Sequence, residues 1–319
     1  MARKQPHEQR IERLAKLHDT SPEQREAGYA EAKVAASDPE REVRAAAAHA
    51  IAPLATPHEA EATLSTLAQD ADVGVRYAAV AAAANTPWRW RFGLLARALG
   101  DDDLGIAALA ADALSYCGDR RAVPVLLELV EERKLRFGAM EGLFALRERE
   151  LFPIASKVYN SFFSSYFDKA IAALALVREG DRGALEYLLK RLSKRFGEDR
   201  NFIVAHLAST GHSEARSVVE LIARNASDAS CESALLSLVK VDVDWWDATV
   251  EAFQRNTTSD PYAAGELLLG LFDIDWQRAA PLAHAHVNKD DPLGEAARKV
   301  RLGHSLRAAF PGEVQLRCD

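Results

Sequence analysis

The chain has 319 residues, a formal charge of −7 and 48% hydrophobic residues, so it has ample apolar surface to bury and too little positive charge for general nucleic-acid binding. Its three cysteines, Cys117, Cys231 and Cys318, are odd in number, far apart and form no CxxC pair, which argues against a disulfide framework or a zinc site. The opening segment is charged, and no run of about 18 apolar residues follows; neither a signal peptide nor a membrane helix is expected, and a reducing cytoplasm is the expected compartment.

In chain order, residues 1–21 read as an N-terminal capping helix and Pro22–Ala36 as the outer helix of a first hairpin. From Val43 an alanine-rich segment begins that recurs. Copies open at Val43, Val75, Ile106, Leu135, Tyr166, Asp199, Ser230 and Pro261, at spacings of 32, 31, 29, 31, 33, 31 and 31 residues. Within each copy, positions 0, +3, +4, +7 and +8 are mostly apolar or small, the stripe of one amphipathic helix. Ala47, Ala79, Ala110, Ala139, Ala170 and Ala234 share position +4, where a small side chain lets neighbouring backbones approach. Asp38, Asp70 and Asp101 stand five residues before the first three copies, placed to cap these helices. Partner helices are expected at Pro57–Gln69, Pro87–Leu99, Arg120–Glu132 and Ser213–Arg224, joined by turns such as Gly118-Asp119 and Gly180-Asp181. Trp276–Val287 with Pro292–Leu302 supplies a ninth hairpin, and 303–319 reads as a tail. The expected fold is all-α: an α-α superhelix of about nine hairpins over 22–302.

The unit Asp38–Ile51, D-P-x-x-x-V-R-x-A-A-A-x-A-I, resembles the HEAT repeat, and the short period is most similar to the bacterial PBS-lyase-like type. The resemblance implies that the second helix of each hairpin lines a concave side and that binding another protein is the commonest role. It also implies a ladder between units from the Asp and the Arg six positions later, as in Asp38/Arg44 and Asp70/Arg76; Ala107 breaks it at the third unit.

Candidate binding residues on the concave side are Arg44, Arg76, Tyr77, Arg136, Phe137, Phe144, Phe167, Arg200 and Tyr262, because arginine and aromatics dominate protein hot spots. Ladder bonds and ordinary packing are the competing reading for the same side chains. Further patches are Trp88 and Trp90, Phe162 and Phe163 in an aromatic run at 159–167, and Trp245-Trp246. The last pair, followed by Asp247, resembles a segment of HEAT-like alkylpurine DNA glycosylases, but Thr249 and Val250 stand where those enzymes carry a carboxylate. Lys190, Arg191, Lys194 and Arg195 make one basic helix stripe, while residues 198–260 hold eleven acidic and five basic side chains, an arm able to steer a basic partner. Deoxyhypusine hydroxylase, another HEAT-like class, holds iron through His-Glu pairs on inner helices. Here His7-Glu8 and His58-Glu59 lie elsewhere, so neither metal nor cofactor is expected. The reading is a non-catalytic scaffold holding a protein or peptide in its groove. An enzyme accessory or lyase subunit of the bilin lyase type, and a nucleic-acid binder or HEAT-like DNA glycosylase, are the alternatives.

Overall fold

The computed structural model describes residues 6–19, 24–116, 118–193 and 199–314. Among them the regular structure is helical, apart from one isolated antiparallel bridge between Trp88 and Val314. After α1 (Pro6–Ala15) the helices follow in pairs. These are α2 (Arg25–Ala35) and α3 (Arg41–Leu54), α4 (Pro57–Leu67) and α5 (Val73–Ala84), α6 (Arg91–Ala98) and α7 (Leu104–Tyr116). Then come α8 (Val123–Leu129) and α9 (Arg136–Ala145), α10 (Leu151–Asn160) and α11 (Tyr166–Arg178), α12 (Arg182–Leu192) and α13 (Arg200–Leu207). The last are α14 (Ser213–Arg224) and α15 (Cys231–Val241), α16 (Trp246–Ser259) and α17 (Pro261–Ile274), α18 (Trp276–Ala283) and α19 (Pro292–Ala309). The described residues thus form an all-α chain of helical hairpins.

The repeat of alanines explains the stacking. All six alanines at position +4 are no more than 2% exposed, so each second helix presses its small-residue column into its neighbours. The turns obey the same economy. Gly180 adopts φ +89°, a left-handed conformation open to glycine at no steric cost, and Asp181 then accepts the Ala184 N–H at 2.8 Å to start α12.

The chain forms two compact units. One holds the described residues of Met1–Glu128, Ala283–Val287 and Ala297–Asp319; the other holds Leu129–Leu282 and Asn288–Ala296. In the first unit the aspartates do not cap where expected. Asp72 caps α5 by accepting the N–H groups of Gly74 and Val75, and Asp103 does the same for Gly105 and Ile106 at the start of α7. Asp70 and Asp101, two residues earlier, instead accept the backbone N–H of Asp72 and Asp103 and hold the arginine of the preceding repeat. The reason is reach: an Asp turn settles the loop, and its free carboxylate edge faces the previous second helix.

The tail also differs from expectation. α19 continues through Ala309, beyond residue 302, and the segment after it lies on the turn between α5 and α6 within the first unit. The Phe310 ring meets Trp88 edge-on at 6.4 Å, the Arg89 N–H donates to the Glu313 carbonyl at 2.9 Å, and Val314 bridges to Trp88. Trp88 is thereby only 1% exposed.

In the second unit, the cores of α11, α13, α15 and α17 are closed by Ile171, Leu174, Val204, Leu207, Leu238 and Leu271, all fully buried. Cys231 is buried at the start of α15, donates to the Ala223 carbonyl and has its thiol pushed up by burial. Cys117 and Cys318 lie outside the described residues, as do Lys194 and Arg195 of the basic stripe. Arg191 of that stripe is engaged by Asp199 through two bonds of 2.8 Å.

Candidate protein-binding site

The arginines singled out in the sequence divide into two kinds. Arg44 grips both carboxylate oxygens of Asp70 at 2.7 and 2.9 Å, and Arg76 grips Asp101 at 2.9 and 3.1 Å. Arg200 is buried and bonds both oxygens of Asp228 at 2.9 and 2.7 Å. Even α1 joins the ladder, since Arg10 meets Asp38 at 2.8 Å. These side chains bind the repeats to each other and are not free for a partner. Bidentate guanidinium–carboxylate geometry is the strong form of this bond. Arg136 differs, bonding only the carbonyls of Val130 and Glu131.

The aromatic candidates divide as well. Phe144 is 2% exposed, so it belongs to the core, with the Arg178 guanidinium 3.6 Å above its ring. Burial, then the nearby Arg147, pushes that guanidinium down to about 10, which leaves it charged at neutral pH. Trp88 is buried under the C-terminal segment and Trp90 is half-buried. Trp246 is 5% exposed with Arg278 over its ring, and Trp245 is half-buried beneath Arg224. Thr249 behind them is fully buried and donates to the Trp245 carbonyl, so this pair is a packing feature. Tyr77 and Tyr262 are exposed on different helices, α5 and α17.

Phe137 and Phe167 come together. Each is the second residue of its helix, α9 and α11. A capping box fixes the start of α11: Ser165 accepts the Asp168 N–H at 3.0 Å, and the Asp168 carboxylate accepts the Ser165 N–H at 3.3 Å. Phe202, near the start of α13, completes the group. The ring centroids lie 5.6 Å apart for Phe137 and Phe167, 5.1 Å for Phe137 and Phe202, and 6.3 Å for Phe167 and Phe202. All three rings are half-buried, so a stripe of aromatic surface crosses three successive second helices. One turn deeper His206 stacks on Phe202 at 4.6 Å and meets the Glu141 carboxylate at 3.2 Å.

A cavity of about 390 Å³ opens beside the stripe, lined by Phe137, Phe167, Ser165, Asp168, Arg133 and Lys134. Arg133 and Lys134 are exposed at its rim. An aromatic floor below a cationic rim suits an apolar side chain next to a carboxylate. At the turn between α10 and α11, Phe162 and Phe163 are 90% and 84% exposed and stack edge-on at 5.7 Å. Among the described residues, these two rings find no burial beyond each other.

Phe202, His206 and Glu141 were not among the candidates. Phe202 stands three residues after its anchor Asp199 and third in α13, whereas Phe137 and Phe167 stand two and one after theirs and second in their helices, so no count along the repeat lines the three up. Among the described residues no group of three His, Cys, Asp or Glu side chains is placed to hold a metal ion. No helix among them is long and apolar enough to cross a membrane.

No protein-family model matches the chain, and no curated protein does. In a comparison with known structures, the chain is similar to a chain of a homology model of the full-length AP-3 complex in an intermediate open conformation, at 13% identity and a TM-score of 0.47 over 98% of this chain and 68% of that one. It is also similar to human deoxyhypusine hydroxylase in complex with glycerol, at 15% identity and a TM-score of 0.33 over 81% of this chain and 99% of that one. Likenesses of this size carry no argument about activity.

Proposed function

We propose that this protein is a non-catalytic scaffold that holds a segment of another protein on the aromatic face of α9, α11 and α13. The observation that carries the reading is the half-buried stripe Phe137–Phe167–Phe202, with exposed cations at its edge. Aromatic side chains already held in place lose little entropy on binding and bury much area, which is why they anchor interfaces. The period of about 31 residues supports the short PBS-lyase-like variety of HEAT repeat. A reducing cytoplasm suits Cys231, a buried free thiol.

The test is quantitative capture of partners from the native cell extract by wild type, by Phe137→Ser/Phe167→Ser, and by Arg133→Glu/Lys134→Glu. The rim variant touches exposed side chains only and keeps the fold intact. Both variants are expected to lose at least about tenfold of the partners that wild type enriches, since single anchor losses of more than about 1.4 kcal/mol are usual at hot spots. An unchanged partner profile for both folded variants removes the reading.

A further inference from the structure

Two rungs of the arginine ladder, those of Arg44 and Arg76, share one geometry, and the Arg136 position lacks its acid. Arg44 uses Nε and Nη2 on the Asp70 carboxylate, while Nη1 donates to the carbonyls of Asp38 and Pro39, six and five residues earlier. Arg76 repeats this with Asp101 and the carbonyls of Asp70 and Ala71. Arg136 takes the two carbonyls at the same offsets, Val130 at 2.9 Å and Glu131 at 3.4 Å, but through Nε and Nη2. Its guanidinium has turned, and Nη1 makes no hydrogen bond within the described residues. In the complete rungs the acid follows its arginine by 25, 26 or 28 residues. Counted from Arg136, that interval reaches residues 161–164, which read Ser-Phe-Phe-Ser. The turn that should supply the carboxylate has none.

An open cavity of about 300 Å³ lies there instead, lined by Arg136, Lys157, Ser161 and Ser164 and walled by Pro153 and Ile154 among others. The donors on hand are Nη1 of Arg136, the exposed ammonium of Lys157 and the hydroxyl proton of Ser161, whose oxygen accepts the Phe163 N–H. Ser164 has spent its proton on the Val158 carbonyl. Glu131 also lines the cavity, so two cations face one carboxylate.

We infer that this cavity receives a single carboxylate from a bound protein segment, an Asp or Glu whose apolar neighbours lie against Phe162 and Phe163. The occupant is a peptide carboxylate because the same arginine position takes that planar anion in every complete rung. A phosphate dianion fits worse, for it must approach Glu131 and a chain of net charge −7 with few free donors. The inference rests on the scaffold reading and deepens it by naming the chemistry of the partner.

Two blocked peptides test it, Gly-Leu-Asp-Leu-Leu-Gly and its Asn counterpart, with sodium acetate and inorganic phosphate as minimal anions. The readout is proton–nitrogen NMR of the Arg136 Nε–H and of the backbone amides of 161–164. The Asp peptide is expected to shift these signals saturably and at least tenfold more tightly than the Asn peptide, with acetate ahead of phosphate. Arg136→Gln is expected to abolish the response with the melting temperature held. Ser161→Asp, which places an acid in the turn, is expected to complete the rung from within and block the peptide. Equal binding of the Asn peptide, tighter binding of phosphate, or a response that survives in either folded variant overturns the inference. The aromatic capture experiment reads a different surface, so loss of partners there alongside a silent cavity here removes only the carboxylate site.

Discussion

Phe144 and Phe163 show how far one residue type can differ in role. Phe144 is buried between α9 and α11, with Arg178 stacked on its ring and Nη1 of that arginine donating to its carbonyl at 2.6 Å. Removing the ring leaves a cavity and strips the desolvated cation of its partner. Phe144→Ala is therefore expected to cost about 3–5 kcal/mol, the range for large-to-small aromatic changes in cores. Phe162 and Phe163 touch chiefly each other and water. Phe162→Ser with Phe163→Ser is expected to stay within about 0.5 kcal/mol of wild type. Urea midpoints at constant slope would measure both; a large loss for the exposed pair would mean that those rings support the fold and not a partner.

At the scale of the element, the rungs tie consecutive hairpins of the first unit, and acid should undo them. The Arg44 guanidinium holds the Asp70 carboxyl below its ordinary value of 3.8, and Arg76 does the same for Asp101. A depressed acid favours the folded chain fully where both states are ionised, and less as the unfolded chain takes up a proton that the folded chain still excludes. The contribution is thus complete well above 3.8 and fades as the pH falls through that value toward the folded one. Each charge-assisted rung is worth about 1–2 kcal/mol. Asp70→Asn with Asp101→Asn should lower the melting temperature at neutral pH and flatten its fall between about pH 5 and 3. A parallel fall in wild type and variant would show that other carboxyls carry the acid response. The helices themselves were legible, since a stripe of small and apolar residues announces each one. The rungs were only half legible. The resemblance implies a ladder between units, which Arg44–Asp70 and Arg76–Asp101 form, but the cap sits at Asp72 and Asp103 because the turn needs two more residues.

At the scale of the molecule, eight anchors in register disclose an all-α repeat fold and nine helix pairs. The candidate site was less legible, because Phe202 reaches Phe137 only once α11 and α13 have stacked beside α9. Least legible was the end of the chain, where no periodicity marks Phe310 or Val314 as partners of Trp88. Solenoid repeats draw stability from their neighbours, so a surface left uncovered weakens the whole unit. In the first unit the segment after α19 supplies that cover: it buries Trp88 and satisfies the Arg89 N–H through Glu313. Phe310→Ala with Val314→Ala keeps the backbone bond and removes the apolar lid. A loss of about 1–3 kcal/mol is expected from the apolar area re-exposed. Tryptophan emission should shift to the red, and the shift should vanish in a Trp88→Phe background, which singles out this ring among the five in the chain. Unchanged emission and melting would mean that Trp88 is sheltered by α5 and α6 alone and that the C-terminal segment contributes nothing to the unit.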